Sequence, residues 1–193
     1  MNGTPTAPDV LRNTATGDLM RILASPMRNG GPRFSVQFEL PPHAKGPPLH
    51  YHDAFAETFI VEAGELEMTV GKERQIRVLK AGEKLHVPKA VIHTFRNASA
   101  QPVRFVTHVE PPGEFEKFIR VWYGLGAAGL TNREGVPRNP LHLALALHWG
   151  NVIMVGPPVF LQRLLFGAMI FLARLSGAER FLARFLPPTS AQS

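Results

Sequence analysis

The chain contains no cysteine among its 193 residues. That excludes a disulfide framework, a thiolate metal site and a cysteine nucleophile. Any metal must be held by nitrogen and oxygen donors, and 8 histidines can supply nitrogen. Acids are also sparse, at 15 Asp+Glu against 21 Lys+Arg. From Gly135 onward the bases are Arg138, Arg163, Arg174, Arg180 and Arg184, and Glu179 is the single acid. No lysine-rich run or aromatic-basic interleaving accompanies this excess, so nucleic acid is not an expected partner. No helix-turn-helix is recognisable. The first residues, MNGTPTAPDVLRNTATGD, lack a basic stretch followed by an apolar core. A cytoplasmic location is therefore expected. There is no internal repeat and no low-complexity tract.

Apolar residues make up 45% and charged residues 19%, the mix of a globular chain. Up to about residue 32 the sequence is rich in Asn, Gly, Thr and Pro, with one expected strand at Gly17–Leu23. From Arg33 to Glu110 the apolar period is two. Phe34, Val36 and Phe38 alternate with Ser35, Gln37 and Glu39, and five further short segments follow between Gly, Pro and Asn turns. This pattern predicts a small antiparallel barrel or sandwich. Glu62–Glu65 reads as a hairpin turn, with Gly64 supplying positive φ.

After Pro111-Pro112 the period becomes helical. Phe115, Phe118, Ile119 and Trp122 share one face, with Glu114 and Glu116 in the first turn where the helix dipole favours acids. Helices are also expected over Pro140–Trp149 and Val159–Leu175. Ser176 and Glu179 have the spacing of a capping box for a last helix. Asn139 to Gln162 holds no Asp, Glu, Lys or Arg, but its Gly-Pro-Pro break makes it a poor spanning segment. The run between Arg163 and Arg174 is too short to cross a bilayer. Such helices suit packing on the barrel or on a second subunit, the favoured reading, or the interfacial plane of a membrane as a peripheral contact.

The chemistry concentrates at His50-Tyr51-His52 and Glu57. Two residues apart on a strand point the same way, so His50 and His52 aim into one space. Glu57 follows a short turn and adds a carboxylate; His93 is the fourth candidate. Three neutral imidazoles and one carboxylate suit Fe, Mn, Ni, Co or Zn as a divalent ion. His86 is expected to be structural. His108 reads equally well as a barrel-lining or a surface residue. His43 and Lys45 read as solvated, and His142 and His148, six apart on a helix, do not read as ligands. Phe38, Phe59, Phe95 and Phe105 are expected to pack or line the barrel. Trp122 and Trp149 are expected to pack between tail and barrel.

Gly46 to Gly64 and Gly82 to Asn97 resemble the two sequence motifs of the cupin superfamily. The resemblance rests on His50-x-His52, Glu57 and Gly64, then on Gly82, Pro88, His93 and Asn97. It covers roughly residues 10–112 and leaves 113–193 as a helical C-terminal extension. It implies a mainly β fold, a double-stranded β-helix of the jelly-roll kind, with one divalent metal on His50, His52, Glu57 and His93. It also implies dioxygenase-like, isomerase or lyase chemistry, in which Glu57 doubles as a base, or a non-catalytic ligand-binding module. The small-molecule partner is expected to be partly apolar or aromatic, and homodimerisation follows from the way cupin barrels pair through their sheets. Ala90 departs from the pattern, which has glycine there; alanine implies either a strained left-handed residue or a type I turn.

Overall fold

The computed structural model describes residues 9–188. Eleven strands among these residues form two antiparallel sheets. They are β1 (Val10–Arg12), β2 (Leu19–Ala24), β3 (Phe34–Leu40), β4 (His50–Tyr51), β5 (Ala56–Ala63), β6 (Glu65–Val70), β7 (Gln75–Lys80), β8 (Lys84–Val87), β9 (His93–Arg96), β10 (Val103–Glu110) and β11 (Ile153–Met154). The first sheet runs β1-β2-β3-β10-β5-β8 and the second β11-β4-β9-β6-β7. This is the mainly β, double-stranded β-helix arrangement with helices at the C-terminus. The inward positions of each strand are the apolar ones of the period-two pattern. Phe34, Val36, Phe38, Phe59, Val61, Phe105 and Val109 all lie in the core between the sheets.

One turn departs from expectation, and a second decides between the two alternatives left open for it. Gly64 was expected to close a hairpin, yet β5 and β6 belong to different sheets. The chain turns a corner there. Gly64 has φ 77°, and a Cβ on it would stand 2.5 Å from the Pro102 carbonyl oxygen. Only glycine allows that approach. The hairpin that follows is β6–β7, turning through Gly71 and Arg74, both at positive φ. Ala90 has φ 60°, so the turn at Pro88–Val91 is not type I, and alanine bears the left-handed conformation.

The helices are α1 (Pro26–Asn29), α2 (Phe115–Ala127), α3 (Pro140–Trp149), α4 (Val159–Leu175) and α5 (Ala178–Leu182). α2 lies between two cores. Phe115, Ile119 and Tyr123 join the barrel core; Val121 and Leu125 join a second core with Leu145 and Trp149 of α3, Ala173 of α4 and Leu182 of α5. Trp122 packs against both cores. Glu116 does more than complement the α2 dipole. It is buried, bonded by Ser25 Oγ and by the Met27 amide, and paired with the fully buried Arg120 at 2.8 Å. Arg120 also reaches Asp9 at 3.1 Å, which pins α2 to the start of the first sheet.

α3 starts at Asn139, whose Oδ1 accepts from the Leu141 amide at 2.9 Å, with Pro140 in the first turn. The capping box at Ser176 does not form. Ser176 ends α4, its hydroxyl donating to the Ala173 carbonyl, and Gly177 in the left-handed region starts α5. Left-handed geometry at the intervening residue carries the Ser176 side chain away from the α5 amides. Among the described residues no single helix is long and apolar enough to cross a membrane; α4 and the segment Ala178–Phe185 pass that test only jointly, across a 79° bend.

Candidate metal centre

His50 lies on β4 directly opposite His93 on β9, and the alternation of β4 puts His52 on the same side as His50. Glu57 comes from β5 in the other sheet, paired with Val109 and Val87. The four side chains therefore meet between the sheets. One ligand atom from each lies within 4.8 Å of all the others, and all four residues are buried. Gly46 lets the loop before β4 lie close on β9: a Cβ there would stand 1.7 Å from the carbonyl oxygen of Phe95, two residues past His93.

Each imidazole is fixed from behind. His50 Nδ1 donates to the Pro48 carbonyl at 2.9 Å, His93 Nδ1 to the Val91 carbonyl at 3.0 Å, and His52 Nδ1 to the Asn151 carbonyl at 3.1 Å. A carbonyl oxygen can only accept, so Nδ1 carries the proton in all three rings. The Nε2 atoms are thereby committed to the interior. His93 Nε2 is 2.8 Å and His52 Nε2 is 3.4 Å from Glu57 Oε2. Orienting carbonyls behind inward imidazole nitrogens are what a histidine metal site requires. The donor set, three nitrogens and one carboxylate, fits a divalent transition metal.

The electrostatics agree. Burial, then the neighbouring His93 and His52, lowers the His50 pKa to about 3, so His50 is neutral and available as a ligand. Burial alone would raise Glu57, but hydrogen bonds and charge from His52 and His93 hold it well below the usual carboxylate range. Burial alone would lower His93; its bond to the Glu57 carboxylate outweighs this and raises it. A cation entering the cluster takes over the role of that His93 proton.

Aromatic rings wall the cluster. Phe55 stacks on His52 at 4.4 Å, Phe115 meets His52 edge-on at 5.8 Å, and Phe59 lies edge-on to His93 at 6.1 Å. Thr107, on the inward face of β10 with Phe105 and Val109, is buried with its hydroxyl unpartnered.

The other histidines lie apart from this group. His86 is exposed beside Thr58 at 3.0 Å, and His108 is half-buried against Ser35 at 2.8 Å. His43, Lys45 and His148 are exposed, and His142 stacks on Phe181 at 4.9 Å. Sequence reasoning passed over Asn151. Its Oδ1 accepts from the Asp53 and Ala54 amides at 2.8 and 3.0 Å, and its Nδ2 donates to Asp53 Oδ1 at 2.8 Å. Its φ of 47° is one that asparagine tolerates better than most residues. The C-terminal extension thus reaches back to hold His52, while β11 adds an edge strand to β4. The usable signal was an asparagine just after a helix-ending glycine, at Gly150-Asn151.

Residues 36–109 match the family model of the cupin domain. Quercetin 2,3-dioxygenase of Bacillus subtilis is 38% identical over 109 residues, which are 54% of this chain and 30% of that enzyme. The chain thus spans less than a third of this curated relative. Among solved structures, KdgF from Halomonas is 18% identical over 52% of this chain and 84% of its own, with a TM-score of 0.44. A predicted oxalate decarboxylase from Thermotoga maritima is 18% identical over 55% of this chain and 93% of its own, with a TM-score of 0.46. The domain match, together with the two motifs and the two sheets, identifies residues 36–109 as a cupin domain.

Proposed function

We propose that this protein is a metal-dependent enzyme that uses one divalent ion, held by His50, His52, Glu57 and His93, to oxidise a small aromatic or enolic substrate with dioxygen. The observation that carries the reading is the set of inward Nε2 atoms and one carboxylate, each imidazole locked by a backbone carbonyl. A bound ion of Fe, Mn, Ni, Co or Zn supplies Lewis acidity and, where redox-active, a place for dioxygen. The protein's own contribution is orientation and exclusion of water. Phe55, Phe59 and Phe115 give the site a low-dielectric wall that suits a planar apolar ligand. Thr107 offers a buried hydroxyl to a polar substituent. Glu57 is the carboxylate of the cluster, and it is the base to which a substrate hydroxyl would pass its proton. The local likeness to a quercetin dioxygenase supports the substrate class.

A second reading has support of its own. The aromatic wall suits a sealed ligand-binding or sensing module as well as a catalyst. Elemental analysis of protein purified without added metal is the first test, with near-stoichiometric metal expected in the wild type and loss in both His50→Ala and His93→Ala. Oxygen uptake with a panel of phenols and enols is the second. Metal binding with no turnover of any panel member would sink the enzyme reading and leave the binding module. Absence of metal affinity would sink both.

A further inference from the structure

Packing on the rest of the chain covers only the inner side of α4. That side is anchored by Gln162, which bonds the Met154 amide and carbonyl and the Pro157 carbonyl, and by Ala173 in the second core. Eleven large hydrophobic side chains are exposed among the described residues, and seven of them lie on this one helix. Phe160 at 73% and Leu175 at 70% are the most exposed of all. The patch is therefore concentrated, unlike the scattered apolar side chains that any surface carries.

The width of the face and its margin bear on what covers it. At about 100° per residue the exposed arc opens at Phe160 and closes at Leu165, about 140° away. Between them lie only Phe171, three leucines, Ala168 and Leu172, so no polar side chain interrupts the arc. The two arginines of the helix, Arg163 and Arg174, both fall on one flank, about 40–60° beyond Phe160. Their side chains are 69% and 64% exposed. An uninterrupted Phe and Leu face bordered by arginine is the pattern of a helix that lies in the plane of a bilayer surface.

Charge selects the lipid. Arg163 reaches Asp53 at 3.0 Å and Arg174 reaches Glu179 at 3.5 Å. Arg180 on α5, next to Glu179, and Arg184 just beyond it are exposed and pair with no acid among the described residues. Arg184 lies over the Phe181 ring at 3.6 Å instead. Residues 139–188 hold four arginines and one acid, Glu179, which is already paired. A second copy of this region therefore brings the same excess cations and no free acid to meet them. Anionic headgroups supply that charge, and a bilayer surface covers the whole arc, Phe160 included. We infer that α4 is an interfacial docking helix for an anionic membrane surface. Phe160, Leu164, Phe171 and Leu175 enter the acyl boundary, and Arg163, Arg174, Arg180 and Arg184 stay at the level of the lipid phosphates.

Vesicle flotation of the full chain tests this directly. The chain should co-float with phosphatidylcholine vesicles that carry about one third phosphatidylglycerol, and about tenfold less with phosphatidylcholine alone. Raising salt from about 50 mM to about 500 mM should weaken binding without abolishing it, because the apolar contact is not screened. Leu164→Glu, at a position 69% exposed, should cut binding about tenfold or more with unchanged circular dichroism and metal content. Arg180→Glu should weaken binding to the phosphatidylglycerol vesicles and leave phosphatidylcholine unaffected. Tryptophan at Phe160→Trp should shift its emission to the blue on those vesicles and be quenched by brominated acyl chains. Ile76→Trp, at a similarly exposed position on β7, should do neither. No flotation, equal flotation on both lipids, or binding that survives Leu164→Glu overturns the inference. A dimer that ignores vesicles and that Leu164→Glu splits overturns it too, and assigns the face to a second copy.

Discussion

Replacing Asn151 with alanine should weaken metal binding although residue 151 touches no metal. Its side chain makes three hydrogen bonds, to the Asp53 and Ala54 amides and the Asp53 carboxylate, all at 2.8–3.0 Å. Each contributes about 1 kcal/mol at most at a partly solvated site. Its φ of 47° adds a cost of about 1 kcal/mol once alanine must adopt it. The segment around 151 therefore loses enough to let the carbonyl that accepts from His52 Nδ1 move. Loss of an orienting partner behind a ligand histidine typically lowers affinity 10–100-fold, or about 1.4–2.7 kcal/mol. Competition titrations of Zn(II) or Co(II) against a chromophoric chelator would read this. Asn151→Gly, which removes the side chain but relieves the backbone, should fall between wild type and Asn151→Ala. An affinity for Asn151→Ala within about twofold of wild type, a gap below about 0.5 kcal/mol, would refute the claim that the extension holds His52.

Ala90→Gly removes the left-handed penalty at an exposed residue whose amide donates to the His52 carbonyl at 2.7 Å. After allowance for the looser unfolded chain it should stabilise by about 0.5–1 kcal/mol and raise the melting temperature by roughly 1–4 °C, read by calorimetry. Glu116→Ala leaves Arg120 buried beside an empty site and should cost about 3–5 kcal/mol in a urea titration. Metal affinity should rise with pH through 6.5 and beyond, by up to tenfold per unit, because the ion displaces a proton from His93. The sign for the metal-free fold differs by residue. His50, held near 3, costs stability progressively as pH falls from 6.5 toward 3, and the stabilisation from Glu57 is lost as pH falls below 4.5. The His93 contribution is complete below 6.5 and disappears as pH rises through its raised value. Melting curves between pH 3 and 7, about the span of these pKa values, should show net acid destabilisation.

The convergence of the four side chains was legible because strand parity and motif spacing are local properties: residues 50 and 52 must share a side, and glycines 46 and 64 mark close backbone approaches. What a period of two does not encode is which sheet a strand joins, so the corner at Gly64 looked like a hairpin. The three-residue β1 and the four-residue α1 are too short to show any period. The hold on His52 escaped notice for a different reason. It comes through a main-chain oxygen 99 residues away, and a carbonyl is the same in every amino acid. Apolarity likewise marked α4 as a helix without saying which of its sides would stay uncovered.

The dependence of His52 on residue 151 has a consequence for biogenesis. A ribosome extrudes every strand of the first sheet, and both cupin motifs, well before Gly150-Asn151 leaves the exit tunnel. The nascent barrel then holds the four candidate ligands with the His52 ring unbraced until Asn151 has emerged and docked.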